Sequence, residues 1–326
     1  MSRPLTLLIA LTLGCGASPR AHEVAARAYR PFSNASPWNT PIAPDAPVHE
    51  ESAALVATFA DMGGVHELGM NVTPWGIPVF HADSRTPLVA VRRTIDHWGT
   101  GFEGRVTYVP IPADAAPATE DDAHLSIIDV ERGIGWDFWR ATREADGTFT
   151  CGVCSMVDLN GDGVRHPLDE NRDNHDAFGS RACGFPLHAG LITVEEVAMG
   201  EIEHALILAL PQIRARYFMP PASTGHPLVP LINAEQGVPC GAHIQLDPEL
   251  DIGSLGLSRE GVIVARALQQ YGAYVGDFSG SVSLNAEGSQ RAVEAWGERM
   301  RTNVMARVPM SSLRVLAWSR LREGQY

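Results

Sequence analysis

Short apolar runs broken by Gly, Pro and Asp dominate the chain after residue 65. Runs of this length bounded by turn residues read as strands of a sandwich or barrel. The candidates are 77–81, 87–92, 105–110, 123–130, 134–141, 202–210, 242–246 and 273–277. Helical spacing appears in fewer places. Residues 50–62 place Ala54, Leu55, Thr58 and Phe59 on one face, and Gly63-Gly64 stop the run. Thr193 with Glu196 forms a capping box for a short helix that Gly200 ends. Ser258 caps a longer segment, 259–271, whose stripe of Val262, Ile263, Ala265 and Leu268 precedes Gly272. A third helix among the strand-like runs is expected over 290–304. The pattern predicts a mainly β fold over 29–326: a single β-sandwich or jelly-roll-like domain with two or three short helices.

The N-terminal residues follow another pattern. Arg3 precedes an apolar run from Leu5 to Leu13, and small residues follow it. That is the layout of a secretory signal peptide over 1–14, and it is too short for a transmembrane helix. Cys15 after Gly14 resembles the lipobox of bacterial lipoproteins, in which the cysteine is lipidated. Residues 15–28 then read as a tether, and the only membrane contact expected is a lipid anchor at Cys15. The expected location is exported, as a cell-envelope lipoprotein or a secreted protein. Residues 29–44 are rich in Pro and Ser, with Phe32 and Trp38 as apolar anchors, and read as an extended segment pinned to the domain.

Composition narrows the function classes. Apolar residues make up 45% of the chain and charged ones 19%, which excludes general disorder. The formal charge is 25 − 38 = −13, which argues against nucleic-acid binding by counterion release. All 25 basic residues are Arg, so neither a Schiff-base lysine nor a P-loop lysine exists. Beyond Cys15, four cysteines remain: Cys151, Cys154, Cys183 and Cys240. An even number in an exported chain suggests two disulfides, with the pairing open.

Residues 158–169 carry a metal-loop pattern. Asp158, Asn160 and Asp162 alternate, Gly163 allows a sharp turn, and Asp169 closes a loop of twelve. Alternate oxygens around a sharp turn wrap a hard cation. The loop resembles the dockerin-type calcium loop, which implies Asp158, Asn160, Asp162 and Asp169 as side-chain ligands and Val164 as a backbone ligand. Calcium bound there would have a structural role. Plain Asx turns give the same spacing without metal.

Candidate catalytic residues cluster around histidines. His124 stands at the entrance of the 123–130 run, where Asp122 can reach it; Asp129 points to the other face. His204 shares a face with Ile202, Leu206 and Leu208, so it is either a core histidine or the floor of a cleft. His243 alternates with Gln245. Histidine suits base chemistry near neutral pH. Arg140 is placed to neutralise or orient a sugar, with Trp136, Trp139, Tyr271 and Tyr274 as further contacts. The chain has no G-x-S-x-G and no H-E-x-x-H, which disfavours serine hydrolase and zincin chemistry. Gly99-Thr-Gly101-Phe-Glu-Gly104 leads into a strand-like run, so it reads as a turn rather than a dinucleotide site.

Several stretches resemble an uncharacterised family of secreted bacterial proteins. They are Ser36-Pro-Trp-Asn-Thr-Pro-Ile42, Asp122-Ala-His124 with Asp129, Phe138-Trp139-Arg-Ala141, Gly190-Leu-Ile-Thr193 with Glu196, Gly200 to Leu206, and Leu246 to Leu257. The resemblance implies a glycan setting and no particular mechanism. The expected function is an exported polysaccharide-active enzyme, either a glycan lyase or a glycoside hydrolase. Its catalytic residues would be His124, Asp122, His204 and Arg140. The partner is a polysaccharide or cell-envelope glycan. The alternative is a non-catalytic lipoprotein that binds glycan or protein.

Overall fold

The computed structural model describes residues 30–60, 66–95, 106–164, 179–226, 237–318 and 320–323. The fold is mainly β, and its strands, numbered in chain order, form four sheets. The largest has six strands in the order β1 (Gly69–Asn71), β15 (Ser283–Asn285), β10 (Leu206–Leu210), β14 (Ala273–Phe278), β13 (His243–Leu246) and β16 (Leu313–Val315). A second sheet has the order β2 (Val79–His81), β5 (Leu125–Asp129), β6 (Ile134–Trp139) and β9 (Val153–Asp158). A third has the order β4 (Val106–Pro110), β3 (Leu88–Arg93), β8 (Phe149–Cys151) and β7 (Thr142–Arg143). A small fourth joins β12 (Val238–Cys240), β11 (Ile213–Phe218) and β17 (Arg322–Glu323).

The sheets are mixed. β10 runs parallel to β14, β1 to β15 and β2 to β5. Parallel neighbours need crossover connections, and the helices sit in or beside them. The described residues contain four short helices: α1 (Ser52–Ala60), α2 (Val194–Met199), α3 (Arg259–Gln270) and α4 (Gln290–Trp296). α2 carries the expected capping box, and Gly200 ends it in the left-handed conformation. Ser258 caps α3 through the Gly261 N–H, and Ile263, Val264, Ala267 and Leu268 are buried. The last helix stops at Trp296, well short of 304, because Gly297 takes a positive φ of 50°.

Two hydrophobic clusters form. The larger surrounds the six-stranded sheet; every residue of β10 is buried, as in a strand covered on both faces. The smaller is built from Val91, Val109, Leu125, Ile127, Trp136, Phe138 and Phe149. β5 serves both: Leu125 and Ile127 enter the small cluster and Ile128 the large one. Alternate side chains of a strand point to opposite faces, so this strand lies at the seam.

Two disulfides staple the chain. Cys151–Cys154 spans the turn from β8 to β9, with Cα atoms 5.9 Å apart. Cys183–Cys240 ties the loop after β9 to β12 across 57 residues of sequence. Closing a loop of that size restricts the unfolded chain by about 4 kcal/mol in the chain-entropy account. The segment before α1 is pinned as its aromatics suggest. Trp38 is buried, its carbonyl accepts from the Ala205 N–H at 2.7 Å, and Asn39 donates to the Pro31 carbonyl at 2.8 Å. Among the described residues, no helix is long and apolar enough to cross a membrane. The signal-peptide and Cys15 expectations, and the Gly99–Gly104 turn, lie outside the described residues.

Candidate functional site

A cleft of about 320 Å³ opens at the seam between the two clusters. Asp122 and His124 reach it from the entrance of β5. Asn71 and Asn285, paired at the ends of β1 and β15, reach it from the large sheet, as does Asp277 of β14. Arg181 comes from the loop after β9, and Trp75 from the turn after β1.

Asp277 owes its position to a bulge. Leu208 pairs with Val275 and Ala209 with Asp277, so Gly276 has no opposite number. A bulge re-aims the next side chain. A Cβ there would stand 2.3 Å from Ile207 Cδ1 and 3.1 Å from Arg181 Cδ, so a larger residue would displace both side chains. The Gly276 carbonyl accepts from the Cys183 N–H at 3.3 Å, which binds the Arg181 loop to the strand.

Arg181 is 3% exposed, an unusual place for a charge. Its Nη2 donates to the Leu187 carbonyl at 3.1 Å and its Nη1 stands 3.7 Å from Asp277 Oδ2. Among the described residues its Nε has no hydrogen-bond partner. The loop around it hangs on the buried Asp137 of β6. The Leu187 N–H donates to Asp137 Oδ2 at 2.7 Å, and Ser180 Oγ donates to the Asp137 carbonyl at 2.9 Å. Ser126 Oγ donates to Asp137 Oδ1 at 2.6 Å, and His188 Nδ1 lies 3.4 Å from the same oxygen.

The electrostatics set protonation states. Burial pulls the pKa of His124 below the ordinary histidine value, and the Arg181 charge adds to this against the pull of Asp122 and Asp277. Burial alone would raise Asp277; the hydrogen bond from His226 and the charge of Arg181 outweigh it and hold the carboxyl below its ordinary value. His226 Nε2 stands 3.5 Å from Asp277 Oδ1. The cleft therefore presents a neutral imidazole, an ionised carboxylate and a guanidinium held almost out of solvent.

The sequence-predicted residues divide. His124 and Asp122 share the cleft, with the left-handed Ala123 between them at a φ of 38°. Trp139 Nε1 donates to Asp122 Oδ1 at 2.8 Å and fixes that carboxylate. Arg140 is exposed; its guanidinium stacks 4.3 Å over the Trp139 ring and does not line the cleft. His204 is not in the cleft either. It is buried, with Nε2 2.9 Å from Glu196 Oε1 and Nδ1 donating to the Ala205 carbonyl at 2.9 Å. Burial opposes its charged form, but Glu196 outweighs burial and raises its pKa. His243 stacks on Tyr274 at 4.3 Å and hydrogen-bonds the Tyr271 carbonyl; burial lowers its pKa to about 4. Trp136, Tyr271 and Tyr274 are core residues.

The described part of the acidic loop folds through Asx turns. Asp158 Oδ1 accepts from the Asn160 N–H and Asp162 Oδ1 from the Val164 N–H, both at 2.9 Å. Ser36 Oγ donates to the Asp162 carbonyl at 2.6 Å, and a Cβ at Gly163 would strike the Phe32 ring. Asp169 lies outside the described residues. Among the described residues, no three His, Cys, Asp or Glu side chains are gathered to hold a metal ion. Carboxylate oxygens such as those of Asp158 and Asp162 are the ligand type calcium takes.

Sequence reasoning missed Arg181, Asp277, His226, Asn285 and Trp75. Asp277 alone left a trace: a carboxylate behind a glycine at the end of an otherwise apolar run.

Comparison with protein-family models, curated proteins and solved structures finds no match to this chain. The chemistry of the cleft rests on its own residues.

Proposed function

We propose that the protein is an exported enzyme that cleaves glycosidic bonds in a polysaccharide, acting at the cleft that holds Asp122, His124, Arg181 and Asp277. One observation carries this reading: a neutral imidazole, an ionised carboxylate and a buried guanidinium converge in one cleft with an exposed tryptophan on its wall. Perturbed titratable groups gathered in a cleft mark functional sites. His124 serves as the base, drawing a proton from water or from a sugar carbon. Asp122, fixed by Trp139, orients the imidazole. Arg181 takes the role assigned to Arg140 from the sequence, because it is the guanidinium that lines the cleft. His204 has a structural role. Calcium in the 158–169 loop is proposed as a structural cofactor, and lipidation at Cys15 as the anchor.

The test incubates the full chain, with calcium, with neutral and acidic polysaccharides. New reducing ends are read beside the ultraviolet absorbance of unsaturated uronic acids. Reducing ends alone indicate hydrolysis; both signals indicate a lyase. His124→Ala is expected to abolish turnover without lowering the melting temperature. Silence across the panel from folded protein would overturn the reading in favour of a glycan-binding lipoprotein.

A further inference from the structure

A second cleft, of about 520 Å³, adjoins the first. Three chain segments wall both. Asn71 lines the inner cleft and Val72 and Thr73 the outer; Asp122 and His124 line the inner and Thr119 and Glu120 the outer; Asn285 lines the inner and Gly288 and Gln290 the outer. Trp75 lines both. The two spaces therefore share three chain segments as walls, and Trp75 is common to both.

That ring is held in an unusual way. Trp75 has a φ of 70°, the left-handed region that bulky residues avoid, and is 44% exposed. Such a conformation persists only where its surroundings impose it. Here the Trp75 carbonyl accepts from Asn285 Nδ2 at 3.4 Å. Gly76 lies against Gly288 so closely that a Cβ on Gly76 would stand 2.8 Å from the Gly288 Cα. Ile77 then bonds in both directions to the exit of β15, taking the Ala286 carbonyl at 3.1 Å and giving its own carbonyl to the Gly288 N–H at 2.9 Å. Asn285 is 5% exposed, and among the described residues its Oδ1 has no hydrogen-bond partner. A large apolar ring is thus fixed open to solvent where an ordinary fold would bury it.

Charge selects the occupant. The inner walls carry Asp122 and Asp277 against Arg181, and the outer walls Asp114, Glu120 and Glu294 against Arg291. Five carboxylates face two guanidiniums, on a chain of net charge −13. A polyuronate would be repelled along the whole path. A neutral pyranose offers hydroxyls to carboxylates and an apolar face to an aromatic ring.

We infer that the two clefts form one channel for a neutral glycan chain, with Trp75 as the stacking platform at the junction. This rests on the proposed glycan-cleaving function and narrows its substrate to uncharged chains longer than the inner cleft alone can hold. In hydrolysis there, water loses a proton to His124 as its oxygen bonds to the anomeric carbon. The glycosidic C–O bond breaks with its electron pair on the leaving oxygen, which takes a proton from solvent, and the imidazolium of His124 then returns its proton to solvent.

The test measures calorimetric binding of two oligomer series to the His124→Ala full chain. One series is neutral: cello-, xylo-, manno- and chito-oligosaccharides of two to six units. The other is galacturonic acid oligomers of the same lengths. Affinity is expected to rise with length in at least one neutral series, and the uronates to bind more weakly. Trp75→Ala is expected to weaken hexamer binding about tenfold while leaving dimers little changed, and Trp75→Phe to restore most of the loss. Neutral binding that ignores length and Trp75 would overturn the channel while leaving the catalytic reading intact. Tighter uronate binding would overturn the choice of neutral chains. Failure of every oligomer to bind folded protein would overturn both readings.

Discussion

Arg181 Nη1 and Asp277 Oδ2 stand 3.7 Å apart at the cleft wall, the guanidinium side chain 2% exposed and the carboxylate 22%. The two depend on each other. Without the carboxylate, Arg181 keeps Asp137 and Asp122 within electrostatic reach but loses the carboxylate it pairs with at 3.7 Å. Asp277→Ala is expected to cost about 2 kcal/mol in stability, at the low end for a broken buried pair because the carboxylate is partly solvated. Urea melts of the variant check this. An unchanged midpoint would show that the pair contributes nothing to the fold.

The lowered pKa of His124 fixes the pH profile expected of a base. In the proposed reaction the neutral imidazole is the working form, so the acidic limb of kcat/KM is expected to fall below pH 6.5, with a plateau above it. A limb centred above pH 6.5 would argue for another base. Asp277 is depressed as well, so its contribution to stability is present above pH 3.8 and is lost as pH falls through its folded value.

His204 and Glu196 form a buried pair at 2.9 Å, both side chains nearly out of solvent. His204→Ala leaves the carboxylate without its partner, at a cost of about 3–5 kcal/mol. Because the folded pKa is raised, the pair stabilises fully below pH 6.5 and loses its effect as pH rises through the folded value. The variant is expected to melt earlier, most markedly at acidic pH, while kcat at a permissive temperature stays the same. A lost kcat with an unchanged melt would return His204 to the chemistry.

Glu287 behaves in the opposite sense to Asp277. Burial, reinforced by Glu195, pushes its pKa up to about 7 from 4.5. The folded state then binds the extra proton, so stability falls as pH rises from about 4.5 to about 7. Glu287→Gln is expected to flatten that slope and raise the melting temperature at pH 8. A slope identical to wild type would place the titration elsewhere.

Calcium is expected to raise the melting temperature in a concentration-dependent way, as any ligand of the native state does. A chelator should reverse the shift, and Asp162→Ala should abolish it. Equal melts with and without calcium would leave the 158–169 loop as a set of Asx turns.

Much of the fold was legible because it is written in local patterns. The capping box at Thr193, the Ser258 cap and the runs at β5, β6, β10 and β14 each depend on neighbours in sequence. Run ends were less visible. The 202–210 run begins as a strand only at Leu206, because Ala205 is bonded to the Trp38 carbonyl and His204 to Glu196. Half of the site was legible for the same reason: Asp122 and His124 lie two residues apart. Arg181, Asp277 and Trp75 were not. They meet through a bulge, a disulfide-tied loop and a left-handed tryptophan, and none of these announces its spatial partner in sequence. His204 misled because an apolar face suits a cleft floor and a core equally well.

The Cys183–Cys240 bridge makes one wall of the cleft sensitive to reductant. Arg181 sits two residues before Cys183, on a loop also tied by hydrogen bonds to Asp137 and Gly276 and by the ion pair with Asp277. A nascent chain in a reducing cytoplasm carries the same side chains without that covalent tether. Oxidation of the two thiols thus adds a covalent tie to the wall of the cleft that carries Arg181, and reduction removes it.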